Sequence, residues 1–255
     1  MDTTDEWIQE RTGIEERRYA DRKSQTTSGI GALAAKVAIK RAGITVDDID
    51  FIIFATLSPD YNFPGSGVIL QRELGITGSE IGALDIRNQC SGFIYALSIA
   101  DQFIRTGTYK NILVVGAEIH SYGLDFSTRG RNVTVIFGDG AGAVIMQPTT
   151  EENKGILTTK LHSDGSYAEK LSLLMPGSHI GVHLPEMIDD GLIFPHMEGQ
   201  FVFKLAVTKF PEVIGEALED AGLSTSDIDL LIPHQANLRI SQFVQKKMGL
   251  SDDKV

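Results

Sequence analysis

The chain holds a single cysteine, Cys90, among its 255 residues, so no internal disulfide can form. A reducing, cytoplasmic compartment is the natural setting for such a chain. No apolar run approaches the ~18 residues of a membrane span, and Met1 to Arg11 is too polar for a secretory leader. Cations are outnumbered, 23 Lys and Arg against 34 Asp and Glu, which leaves a formal charge of −11. Nucleic-acid binders carry basic surfaces, so neither a nucleic-acid nor a membrane partner is expected. The rest is ordinary: 42% apolar and 22% charged residues, on a chain long enough to bury a sizeable core.

Apolar periodicity gives an alternation of helices and buried strands. Residues 31–42 read as a helix closed by Gly43, and 91–105 as a second with Phe93, Ala96, Leu97, Ala100 and Ile104 on one stripe. Residues 50–57, 81–86 and 111–117 are short, nearly continuous apolar runs, as expected of strands covered on both faces. Strands are also expected at 133–136 and 143–146, either side of a Gly-rich turn, and at 156–161 and 228–232. Residues 200–221 read as helix, with Pro211 expected to kink or interrupt it. The class is α/β with a largely parallel sheet.

The chain also echoes itself. Residues 38–54 (AIKRAGITVDDIDFIIF) and 217–233 (ALEDAGLSTSDIDLLIP) share seven of 17 positions at an offset of 179. Helix–Gly–Asp–strand is a common local grammar, and duplication into two βα halves is the reading preferred over it. The expected halves are 1–150, holding the cysteine, and 151–255. On that reading the first half lacks its opening strand and the second its closing elements.

Cys90 falls between an expected strand and an expected helix, with the small Ser91 and Gly92 after it. Backbone N–H groups and the helix dipole at such a junction favour thiolate. A lone cysteine is more often a small buried hydrophobe, and the strand–Cys–Gly–helix junction speaks against that reading. His234 directly follows the expected strand 228–232, and strand C-terminal ends are where open α/β sheets place their sites. It aligns by the repeat with Ala55, so both halves are expected to aim strand ends at one cleft; a structural histidine is the alternative. Gly138 to Gly142 is no phosphate cradle, because strand-like residues flank it and no helix follows. His179 and His183 have metal-ligand spacing, but Gly177 and Gly181 disfavour the helix that would use it.

Six stretches in collinear order resemble the β-ketoacyl-acyl-carrier-protein synthase III enzymes of the thiolase superfamily. They are DTTDEWIQERTGIEERR (2–18), ATLSPDYNFPGSG (55–67), DIRNQCSGFIYAL (85–97), VIFGDGAGA (135–143), LHSDGSY (161–167) and IPHQANLRI (232–240). The resemblance implies a thiolase-like fold of duplicated βα halves in an α-β-α-β-α layering, incomplete here at both termini. It implies that Cys90 takes an acyl group from acyl-coenzyme A. Malonyl-acyl carrier protein then loses carbon dioxide, and its enolate attacks the acyl-cysteine, which starts fatty acid synthesis. His234 matches the histidine that stabilises the enolate oxygen, and the Cys90 N–H is expected to serve the oxyanion hole.

By the same resemblance Trp7, Arg11 and Arg131 hold the coenzyme A nucleotide, Asn237 contacts its pantetheine arm, and Phe63 reaches into a partner subunit's acyl tunnel. A homodimer, an acyl carrier protein partner and no tightly bound cofactor follow. Lys204, Arg239, Lys246 and Lys247 match basic carrier-protein contacts; on spacing alone they are equally a solvated helix face. Trp7 alone is equally a core residue. Related condensing enzymes making alkylquinolone-type or long-chain ketone products share Cys90 and His234. A non-catalytic dimer partner would lose the nucleophile, which Cys90 argues against. The family's catalytic asparagine is expected beyond Val255. The chain as it stands is therefore expected to be poorly stable, with exposed sheet edges and impaired decarboxylation. Cooperative unfolding together with full condensing activity, measured on the refolded chain, would overturn that expectation.

Overall fold

The computed structural model describes residues 1–78, 80–152, 154–178 and 185–255. Its elements begin with α1 (Asp5–Thr12), α2 (Thr27–Ala42), β1 (Phe51–Ala55), α3 (Ser66–Glu73), β2 (Gly82–Ile86), α4 (Gly92–Arg105) and β3 (Ile112–Glu118). They continue with α5 (Arg131–Thr134), β4 (Gly140–Met146), β5 (Leu171–Ser172), α6 (Pro185–Asp189), β6 (His196–Met197), α7 (Gly199–Ala221) and α8 (Leu238–Met248). By contact the chain forms two compact units, Arg18–His120 with Gly138–Thr159, and Met1–Arg17 with Ser121–Phe137 and Lys160–Val255. This partition follows packing, whereas the expected halves 1–150 and 151–255 follow the repeat.

The first unit is a sheet in the order β2-β1-β3-β4, with β1 parallel to both neighbours and β4 antiparallel to β3. All five residues of β1 are buried, because successive side chains feed opposite layers. Ile52 and Phe54, with Leu113, Val115 and Ala117 of β3, pack on Ala32, Ala35 and Ile39 of α2 and Leu70 of α3. Phe51, Ile53 and Ala55, with Ile112 and Val114, pack on Ala96 and Ala100 of α4. The small residues of α4 let it lie close to the sheet. The Phe51 ring also covers Gly82, where a Cβ would stand 2.3 Å from Phe51 Cε2, and it stacks on Tyr109 at 4.6 Å. Only glycine fits at that place in β2.

In the second unit α7 runs unbroken through Pro211. Of the expected kink or interruption, the interruption does not occur: proline withdraws one N–H, and about three turns of helix on either side hold the element together. The structure corrects three further expectations. Residues 133–136 are not a strand but the end of α5 and its exit, since so short an apolar run fits a buried helical turn equally well. Gly140 to Gly142 form no turn; they are the first residues of β4, laddered to Glu118, Ala117 and Gly116. Segments 156–161 and 228–232 are not strands. A strand needs a neighbour, and among the described residues the Leu231 N–H finds only the Lys254 carbonyl, at 2.7 Å. Leu230 and Ile232 stay exposed, at 60% and 77%.

The internal echo has matching backbone geometry. α2 ends at Gly43 (φ 70°, ψ 24°) and α7 at Gly222 (φ 67°, ψ 27°). Each is followed by a single 3-10 turn closed by a capping box, Thr45 with Asp48 and Ser224 with Asp227. The chain then leaves through Ile49 (φ −77°, ψ 123°) or Ile228 (φ −77°, ψ 117°).

The buried strand β1 sets the stability of the sheet unit. Ile53 has no exposed surface and lies on the α4 side. Ile53→Ala is expected to cost about 2–5 kcal/mol, read as a lowered urea midpoint with an unchanged slope.

Candidate active site

Three strand ends meet around the cysteine's turn. Ala55 closes β1 beside Ile86 of β2 and Gly116 of β3, and the Thr56 N–H donates to the Ile86 carbonyl at 3.1 Å. Beyond β2 the chain makes a 3-10 turn, Gln89–Ser91, and enters α4 at Gly92. Asn88 Nδ2 donates to Ser91 Oγ at 3.1 Å, and Ser91 Oγ donates back to the Asn88 carbonyl at 3.3 Å. Gln89 is forced to φ 38°, in the left-handed region that side chains avoid. Such a conformation costs on the order of 1–3 kcal/mol and recurs where geometry serves function. The strain is spent presenting Cys90, which is exposed as a free thiol.

The electrostatics differ from expectation. Surrounding protein desolvates the Cys90 sulfur even though solvent touches it, and that burial raises its pKa. A contact to its own backbone N–H acts the other way, and the Glu118 carboxylate adds to the rise. Burial outweighs the helix end, so Cys90 rests as a thiol where the junction alone suggested thiolate. Phe63, in the loop after β1, is 87% exposed.

Two carboxylates and Gln89 were not legible as site residues. Asp85 of β2 accepts from the Ser66 and Gly67 N–H groups at 2.5 and 2.8 Å and so fixes the start of α3. Glu118 binds the turn after β1. A carboxylate ending the apolar run Ile112 to Ala117 was the available signal for the second.

Trp7, Arg11 and Arg131 come together in the other unit. The Arg11 and Arg131 guanidinium carbons lie 4.6 and 5.0 Å from the indole centroid. α1 is held for this by Thr4, whose side chain accepts from the Trp7 N–H at 3.2 Å. Arg131 Nη1 donates to the Asp2 carbonyl at 3.0 Å, while Arg131 Nε and Thr3 Oγ1 are buried with no hydrogen-bond partner among the described residues. Two guanidiniums around one indole fit a planar, anionic ligand.

His234 precedes Asn237, whose Oδ1 accepts from the Arg239 N–H at 2.9 Å and caps α8. Desolvation lowers the His234 pKa although its edge meets solvent. Arg239 is tied down, donating to the Glu10 carbonyl at 2.8 Å. Lys246 and Lys247 in the last turn of α8, and Lys204 on α7, are exposed. His179 and His183 lie outside the described residues, and no helix among the described ones is long and apolar enough to cross a membrane.

By its likeness to solved structures this α/β scaffold is that of a thiolase-fold acyltransferase. The 3-oxoacyl-[acyl-carrier-protein] synthase III family model matches residues 84–165, and the model of that family's C-terminal part matches 218–255. The beta-ketoacyl-[acyl-carrier-protein] synthase III proteins of Caldanaerobacter subterraneus subsp. tengcongensis and Clostridioides difficile are each 45% identical over 100% of this chain, which covers 75% of either. The crystal structure of 3-oxoacyl-[acyl-carrier-protein] synthase III from Aquifex aeolicus superposes with a TM-score of 0.87 at 40% identity, over all of this chain and 75% of that one. The chain belongs to the β-ketoacyl-acyl-carrier-protein synthase III family.

The two shifts predict opposite pH behaviour. Cys90 alkylation by iodoacetamide is expected to rise with a midpoint above the ordinary thiol value of about 8.5, and His234 to protonate only below about 6.5. Folding stability tied to neutral His234 is present above its unfolded pKa and is lost as pH falls. An NMR titration with His234 assigned by His234→Asn checks the second.

Proposed function

We propose that Cys90 is the nucleophile of this acyltransferase and that His234 acts on the acceptor. The Cys90 sulfur attacks the thioester carbonyl of an acyl-coenzyme A, the bond from that carbonyl to the coenzyme A sulfur breaks, and the thiol proton leaves with coenzyme A. Malonyl-acyl carrier protein then loses carbon dioxide, and the enolate carbon displaces the Cys90 sulfur to give a β-ketoacyl product. The observation that carries this reading is the strained Gln89 turn, which presents an exposed thiol at the strand–helix junction. Backbone N–H groups at such a turn suit the oxyanion of the tetrahedral intermediate. A His234 held neutral keeps one ring N–H to donate to the enolate oxygen, which supports its assignment.

The indole and its two guanidiniums are assigned to the adenine nucleotide of coenzyme A, and Asn237 to the pantetheine arm. No tightly bound cofactor is needed for these steps. Lys204, Arg239, Lys246 and Lys247 are assigned to the acidic carrier protein. Exposed cations on a chain of charge −11 are a local attraction within a repelling field. The exposure of Phe63 supports a homodimer in which that ring is covered by a partner. The halves 1–150 and 151–255 are assigned as copies, supported by the twin capping geometry at Gly43 and Gly222. A cytoplasmic location fits the lone free thiol.

Intact-mass measurement after brief incubation with acetyl- and longer acyl-coenzyme A tests the nucleophile. One acyl adduct is expected, absent in Cys90→Ala; an adduct that survives in Cys90→Ala sinks the assignment. Lys246→Glu with Lys247→Glu is expected to lower kcat/KM for malonyl-acyl carrier protein by about tenfold, leaving acylation by acyl-coenzyme A unchanged.

A further inference from the structure

Glu118 closes β3 at the end of the sheet from which Cys90 emerges. One of its carboxylate oxygens accepts from the Leu57 N–H at 2.7 Å. The other accepts from the Ser58 N–H at 3.1 Å, Ser58 Oγ at 2.7 Å and Thr56 Oγ1 at 3.3 Å. Ser58 Oγ in turn accepts from the Ile119 N–H at 2.8 Å. The turn after β1 is thus bound to β3 through this carboxylate and to β2 through Thr56. The nucleophile's segment rests on that same assembly: a Cβ at Gly92 would lie 3.4 Å from Ala55 Cβ. A carboxylate given four donors at the end of an otherwise apolar strand is held in one place.

We propose that Glu118 is a positioning residue for Cys90: it locks the turn after β1 between the ends of β2 and β3, where the segment that carries Cys90 rests, and its carboxylate tunes the reactivity of that thiol. The proposal rests on Cys90 being the nucleophile. The titratable and charged groups on the elements meeting here are Asp60 after β1, Asp85 and Arg87 on and after β2, Tyr95 on α4, Glu118 and His120 at the end of β3, and Asp139 before β4. Asp60 is engaged by Ser28 and Ser66, Asp85 by the start of α3, and Asp139 by the Ala20 N–H. His120 Nε2 lies 3.7 Å from Glu118 itself. Glu118 is the charge whose field acts on Cys90. A thiol at rest is spared oxidation and stray alkylation, both of which need thiolate.

The test follows Cys90 alkylation by iodoacetamide against pH in the full chain, counted by intact mass, for the wild type, Glu118→Gln and Glu118→Asp. Glu118→Gln keeps an acceptor oxygen and removes the charge; it is expected to move the profile to lower pH and to speed alkylation at pH 7.5 about threefold. Glu118→Asp restores the charge and is expected to return the profile toward wild type. A Glu118→Gln profile that superimposes on wild type, or an equal shift in both variants, overturns the proposal. Salt reads the same charge by difference: raising KCl from about 0.02 to about 0.5 M should speed alkylation, relative to N-acetylcysteine, more in the wild type than in Glu118→Gln, and an equal response in both counts against the proposal. Alkylation reports the thiol whether or not it accepts an acyl group. Failure here is therefore separate from failure of the acylation assay.

Discussion

Strand β1 must be covered on both faces at once, and the sheet unit is arranged around that demand. Five consecutive buried side chains alternate between two cores, so α2 and α3 are needed on one side and α4 on the other. Neither core is served by a single neighbour: β3 contributes to both through Ile112 to Ala117. Once those layers are fixed, β1 and β2 end level, and β3 runs two residues beyond them to Glu118. Everything placed there, from the Glu118 carboxylate to the Gln89 turn, inherits its position from the packing below.

Rigidity beneath and strain above divide the work. The residues under the site are aliphatic, aromatic or small. The residues at the strand ends are carboxylates, hydroxyls and backbone N–H groups held to one another over short distances. The left-handed Gln89 lies in a turn closed by the side-chain bonds between Asn88 and Ser91. Burial then sets the chemistry of the two assigned residues in opposite senses, holding the Cys90 thiol protonated and the His234 imidazole unprotonated. Both begin the cycle neutral, as suits groups drawn out of bulk water.

Periodicity made the strands of the sheet unit legible, although only β1 and β3 are covered as expected: β2 is an edge strand whose residues are half-buried or exposed. β1, β2, β3 and α4 stand within a residue or a few of their expected bounds. Segments 156–161 and 228–232 failed for a physical reason: apolar composition records a propensity, while a strand exists only with a ladder partner. Residues 133–136 failed because four apolar residues are too few to carry a period. Motifs singled out Cys90, His234, Trp7, Arg11 and Arg131, and the last three do stand together. Gln89 was not legible, since nothing about a glutamine announces a positive φ. Glu118 was not, since its role comes from strand register and from donors about 60 positions away.

The twin junctions at Gly43 and Gly222 give the molecule an internal reference. The two glycines have nearly equal dihedrals, and a methyl added at either would meet nothing within 4 Å. Changing each to alanine therefore applies one local penalty, about 1–2 kcal/mol for the left-handed backbone, at two places in one polypeptide. Any inequality between the two losses belongs to the surroundings. The pair acts as a matched gauge, reading how firmly the rest of the chain grips each of two corners of like geometry.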